Sequence, residues 1–282
     1  MTGNASSATA VLVGYIASGT SKIKVGSGGV MLPNHAPLVI AEQFGTLESI
    51  YPGRIELGLG RAPGTDQMTA RALRRDLLGS DDRFPQDVRE LQHYFGPIQD
   101  GQSVKAIPGA NTHVPIWILG SSLYGAQLAS HFGLPYAFAS HFAPDHLLEA
   151  MSIYRDLFKS SEQLAKPYSA FVMNVVAADT DEEAQHLFTT LQQNVVRMRR
   201  NTRGQLPPPI EDLDDFCDPH EQAAAAHTLQ CSLVGSLETI RDGMRTWLER
   251  TGANEILFTG QIFDHKARLK SFEIAAQAAR SL

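Results

Sequence analysis

Short apolar runs alternate along this chain with stretches in which apolar residues recur every three or four positions. The runs predict strands at Ile23–Gly28, Arg54–Gly60, Pro115–Gly120, Tyr136–Ser140, Ser169–Ala177 and Glu255–Gly260. Several, such as "IWIL" and "EILF", show little polar alternation, as expected of strands covered on both faces of a parallel sheet. The intervening stretches read as helices. In "HAPLVIAEQFGTLESIYPG", Pro37 sits in the first turn, Ile40, Phe44, Leu47 and Ile50 share one face, and Pro52-Gly53 ends the element. "SSLYGAQLASHFGLP" runs from serines to Gly133 and Pro135, and "GSLETIRDGMRTWLERTGANE" from an N-cap at Ser236 to Gly252. Strand–helix alternation of this kind means a parallel α/β sheet, either doubly wound or closed as a (β/α)8 barrel.

Composition bears mainly on what is excluded. With 282 residues, 43% of them hydrophobic, the chain can bury the core of one large domain, 1–282. A net charge of -6 argues against nucleic acid or an anionic membrane as the main partner, since both call for clustered Lys and Arg. No apolar run is long enough to span a membrane, and the opening "MTGNASSATAVLVGYIASG" lacks the basic region of a signal peptide. Cys217 and Cys231 have no metal-like spacing and read as reduced thiols of a cytoplasmic protein. The histidines show no metal-ligand spacing either, so no metal is expected. Residues 203–230, around Pro207-Pro208-Pro209 and an acidic cluster, break the pattern and read as an insertion, a lid or a mobile surface excursion.

Candidate chemistry lies at the strand ends, where parallel α/β folds bind ligands. "VGSGGVMLPNH" loses its side chains at Gly26, Ser27, Gly28 and Gly29, as if something approached the bare backbone. Gly120, Ser121 and Ser122 lie between a strand and the first turn of a helix, where free N–H groups can hold an anion; either serine could instead be an ordinary N-cap. Arg61, directly after an apolar strand, suits a phosphate, or a salt bridge to Asp66. Gly58-x-Gly60 is not a dinucleotide fingerprint, because position 63 is proline.

From "KIKVGSGGVMLPNHAPLVIAEQFGTLESIYPGRIELGLGRAPGTD", "VPIWILGSSLYGAQLASHFGLPYAFASHF" and "LVGSLETIRDGMRTWLERTGANEILFTGQ", most of the chain resembles the bacterial luciferase-like flavin monooxygenase family. The resemblance implies a (β/α)8 TIM-type barrel, commonly dimeric, with FMN at its C-terminal mouth. It implies a non-proline cis peptide at Gly28–Gly29, with Ser27, Gly28 and Gly29 bordering the flavin ring. Arg61, Ser121 and the residues around Tyr124 and Gly125 correspond to the family's phosphate ligands, and Gly120 and Ser122 flank them as further cofactor-binding candidates. A separate reductase would supply reduced flavin for reaction with O2 and a small organic substrate. A deazaflavin used for hydride transfer, or flavin binding without catalysis, are the alternatives.

Aligned this way, Met1 falls after the family's second strand, so about six of eight strands are expected here. The family's first strand, first helix and second strand, with its paired histidines, have no counterpart. A late start assignment, a fragment, or a short form completed by oligomerisation would each account for that. The remaining acid–base candidates are His35, in "PNHAP", and His141, ending "FASH". Gln261 is a further candidate for bonding flavin or substrate.

Overall fold

A computed structural model describes residues 6–62, 80–202 and 204–282; Asp66 and Arg203 lie outside them. Helix α1 (Thr9–Ser18) leads into β1 (Val25–Met31), a 3-10 turn (Leu32–Asn34), α2 (Pro37–Ile50) and β2 (Ile55–Gly60). Then follow α3 (Ser80–Phe95), β3 (Ile116–Gly120), α4 (Leu123–Phe132), β4 (Tyr136–Phe138), α5 (Leu147–Leu157) and β5 (Ser169–Ala177). The chain continues through α6 (Asp181–Arg199), α7 (Pro219–Thr228), β6 (Ser232–Gly235), α8 (Leu237–Thr251), β7 (Glu255–Thr259) and α9 (His265–Arg280). Every strand pair is parallel, as helical crossovers require.

Local sequence explains most boundaries. Pro37 opens α2, and Ile40, Phe44 and Leu47 are buried as the spacing requires. Ile50, assigned to the same face, is instead 59% exposed, because the helix ends there against solvent. Gly252 stops α8 in the left-handed conformation at φ 59°. Asp181, in the first turn of α6, accepts from the Ser236 N–H at 2.6 Å and so satisfies the start of α8.

Among the described residues seven strands are present where about six were expected, and the additional one, β6, is not part of the wall. Tyr136 N–H donates to Tyr168 O, and Asn174 N–H to Cys231 O, so even-numbered residues at β5 face both β4 and β6. Ser169 O accepts from Asn254 N–H on the opposite edge, toward β7. The wall therefore runs β1-β2-β3-β4-β5-β7, while β6 takes over the edge of β5 beyond the point where the three-residue β4 stops. Among the described residues β1 and β7 are each paired on one side only. β7 has no buried residue, and Leu257 is 41% exposed.

The described part of the 203–230 stretch is docked on α6. Thr190 Oγ1 donates to Pro207 O at 3.1 Å and Gln193 Nε2 to Pro208 O at 2.9 Å. Thr189 Oγ1 accepts from the Ile210 N–H at 2.9 Å. Its second half forms α7, started by a capping box in which Asp218 and Glu221 exchange hydrogen bonds.

The glycines of β1 and β2 serve mainly the contact between these strands. A Cβ on Gly26 would lie 2.6 Å from Glu56 O, one on Gly29 2.8 Å from Gly58 O, and one on Gly58 would collide with Ser27 O. A Cβ on Gly28 meets nothing within 4 Å. Gly26 and Gly29 thus answer to the contact with β2 as well as to the cavity they border, while a Cβ on Gly28 alone of the three would meet open space. The Gly28–Gly29 peptide is cis, and the β1–β2 register slips there by one residue. Gly58→Ala is expected to destabilise the protein by about 2 kcal/mol or more through forced strand separation, and Gly28→Ala by less than about 1 kcal/mol. Urea denaturation of the two variants measures the difference; equal losses would contradict it.

Candidate active site

All six wall strands contribute to one cavity of about 530 Å³. Its size lies within the range of small-molecule and cofactor sites. β1 presents Gly28, β2 ends in Gly60 and Arg61, β3 passes through Gly120 into Ser121 and Ser122, and the chain after β4 brings in His141. Leu119, Trp117 and Phe142 supply much of the apolar lining.

One end is built to receive negative charge. Ser122 occupies the N-cap position of α4, yet its side chain makes no capping hydrogen bond and the first turn contains no acidic residue. Ser122 is thus the N-cap by position but spends no side-chain oxygen on the turn, and the first-turn N–H groups keep their positive field. Arg61 stands beside this turn, its Cζ 4.3 Å from the centroid of the Tyr124 ring. That stacking holds the guanidinium at the cavity while leaving its N–H edges available. Tyr136, whose phenol burial pushes well above its usual value, donates to Ser122 O at 3.3 Å and fixes the turn from below. A Cβ on Gly125 would press on the Tyr136 ring at 3.2 Å, which is why the first turn of α4 carries glycine there.

His141 lies on the cavity wall, its ring 4.6 Å from that of Phe142 at 82°. Its Nδ1 is buried without a hydrogen-bond partner. Burial lowers its pKa from 6.5 to about 4, so the imidazole is neutral at pH 7. Ser27 also borders the cavity, but its hydroxyl donates to Gly58 O at 2.8 Å and serves the strand contact.

The structure brings together Ser27, Gly28, Gly29, Arg61, Gly120, Ser121, Ser122, Tyr124, Gly125 and His141 around this one cavity. His35 is not among them. It lines a separate space of about 160 Å³ beside α1, with Ile40, Gln43 and Phe44. Gln261 is turned toward α6, where its Oε1 accepts from Asn194 Nδ2 at 2.9 Å. None of residues 204–230 borders the cavity. Among the lining residues that the sequence did not single out are two glutamates, Glu56 and Glu255. Glu56 pairs with Lys24 at 2.8 Å, and Glu255 accepts from the Tyr168 hydroxyl at 2.5 Å. Their signal was a charged residue inside an otherwise apolar strand, at "IELG" and "NEILF".

A family model described as "Luciferase-like monooxygenase" matches residues 1–255. A luciferase-like monooxygenase of Escherichia coli (strain K12) is 54% identical over 282 residues, covering 100% of this chain and 84% of the relative. The crystal structure of apo-MsnO8 is similar with a TM-score of 0.91 at 34% identity, covering 98% of this chain and 84% of that one. Two further structures share the fold alone. One is the oxygenating constituent of 3,6-diketocamphane monooxygenase from Pseudomonas putida, in complex with FMN (TM-score 0.67, 18% identity, 97% of this chain and 83% of that one). The other is an F420-dependent secondary alcohol dehydrogenase with an F420–acetone adduct (TM-score 0.65, 15% identity, 98% and 85%).

The buried His141 has a measurable consequence. Its folded-state pKa lies below its unfolded value, so protons bind the unfolded chain preferentially. Stability falls as pH drops below 6.5 and the contribution is lost through about 4. Between about pH 7 and about pH 4 the wild type should lose about 3 kcal/mol more than His141→Gln. Denaturant melts across that range test this; parallel losses would contradict it.

Proposed function

The chain belongs to the luciferase-like monooxygenase family, and on that premise we propose that it is a flavin-dependent oxidoreductase whose cavity takes FMN beside a small organic substrate. The observation that carries this reading is the uncapped first turn of α4, set beside Arg61 on the same cavity as the open flank of Gly28. A phosphate needs N–H donors and a guanidinium, and a flat ring needs a wall without side chains. Arg61, Ser121, Ser122 and the backbone at Gly120, Tyr124 and Gly125 would hold the phosphate. Ser27, Gly28 and Gly29 would border the ring.

When bound in its reduced form, delivered by a separate reductase, FMN supplies the electrons that activate O2. The chain's own residues do the rest. Leu119, Trp117 and Phe142 keep water from the reacting centre. The Arg61 guanidinium, held over Tyr124, neutralises the phosphate. His141, neutral and with an unpartnered Nδ1, can take a proton from a substrate group or hold it there. His35, on its separate cavity, is given no such role. Buried free thiols at Cys217 and Cys231 support a reducing, cytoplasmic location. No described helix is long and apolar enough to cross a membrane. α1 exposes Val11 (75%) and Tyr15 (77%), which supports association as a homodimer.

A deazaflavin is the second reading, supported by the near-equal fold similarity to the F420-dependent enzyme, because a phosphate cradle does not discriminate between the two rings. Fluorescence titration of FMN tests the main proposal. Saturating quenching at micromolar flavin is expected, weakened roughly 10-fold or more in Arg61→Ala, the loss of a charge-assisted hydrogen bond. Oxygen uptake with reduced FMN and substrate would support monooxygenation. Binding with hydride transfer to F420 and no oxygen uptake would favour the second reading. A folded protein that binds no flavin would contradict both.

A further inference from the structure

The ring of His141 has no hydrogen bond to set its orientation: Nδ1 is buried and unpartnered. Imidazoles that act on ligands usually owe their orientation to the bond made by the other ring nitrogen. Here the restraint comes through the main chain. β5 pairs with β4 over Ser169–Phe171 and with β6 over Asn174–Ala177, so its shared edge is interrupted at Val172 and Met173. The interruption is spanned by side chains. Ser140 Oγ donates to Val172 O at 2.5 Å. Asn174, only 1% exposed, donates from Nδ2 to His141 O at 2.9 Å and to Ser232 Oγ at 3.2 Å.

We propose that Ser140 and Asn174 are positioning residues that clamp the backbone of His141 to β5 and thereby hold its imidazole on the cavity wall. The inference rests on the reading that His141 meets the bound ligand. It also gives β6 a purpose outside the barrel wall: the strand occupies the edge that β4 leaves when the chain turns inward to His141. A buried amide that merely satisfied its neighbours would tie β6 down without affecting the histidine.

Histidine-selective NMR of the whole chain separates the two roles, with His141→Gln identifying the signal. In the wild type His141 should titrate near about 4. Asn174→Leu and Ser140→Ala should each move that value toward 6.5, because a released ring gains solvent, while Ser232→Ala should leave it in place. If Asn174→Leu does not fold, Ser140→Ala, which removes only one oxygen, decides the matter. An unmoved His141 titration in the folded variants would overturn the proposal. With FMN and substrate, the two clamp variants should lower kcat while leaving flavin affinity unchanged. A shifted titration with unchanged kcat would uphold the clamp and count against the catalytic reading of His141.

Discussion

Gly26 and Gly29 of β1 and Gly58 of β2 let two parallel strands approach until each backbone occupies the space a neighbour's Cβ would need. The geometry of the cavity depends on this contact. Where it slips by a residue, at Gly28–Gly29, the chain exposes a stretch of main chain with nothing standing on it. Ser27 fastens the same contact by donating to Gly58 O. A single run of small residues thus does two jobs, packing against β2 and baring the cavity wall, and the two are separable by position.

The ends of the cavity are set by how neighbouring strands finish. β2 stops at Gly60 and delivers Arg61; β3 stops at Gly120 and turns into α4, whose N-cap residue Ser122 makes no side-chain capping hydrogen bond. Positive charge and unspent N–H groups therefore face the same space. β4 is only three residues long, and its early end frees the chain to carry His141 inward. The imidazole is kept neutral by burial. Arg61 and His141 thereby stand at different strand ends of the one cavity.

Much of this was legible in the chain. Pro37, Ser236, Gly252 and the apolar runs located most elements within a few residues, since propensity and burial agree there. The glycine-rich run and the serines before α4 pointed to the cavity because a strand interior has few other uses for glycine and a helix start can offer free N–H groups. What failed had physical causes. β6 has four residues, "SLVG", and pairs with only the far half of β5, so no periodicity announced it. α7 was hidden in the proline-rich insertion, although Asp218 and Glu221 form a capping box. His35 and His141 look alike in sequence; only the path of the chain after each strand sends one to the main cavity and the other behind α1.

The proposed function requires one cavity to join a bare strand face to a helix start that binds an anion. Calorimetric titration of FMN against riboflavin tests it most directly, because the two ligands share a ring and differ by the phosphate. Affinity for FMN at least about 10-fold higher than for riboflavin is the predicted result, the size expected for charge-assisted hydrogen bonds to Arg61 and α4. Equal affinities, or riboflavin the tighter ligand, would contradict the account.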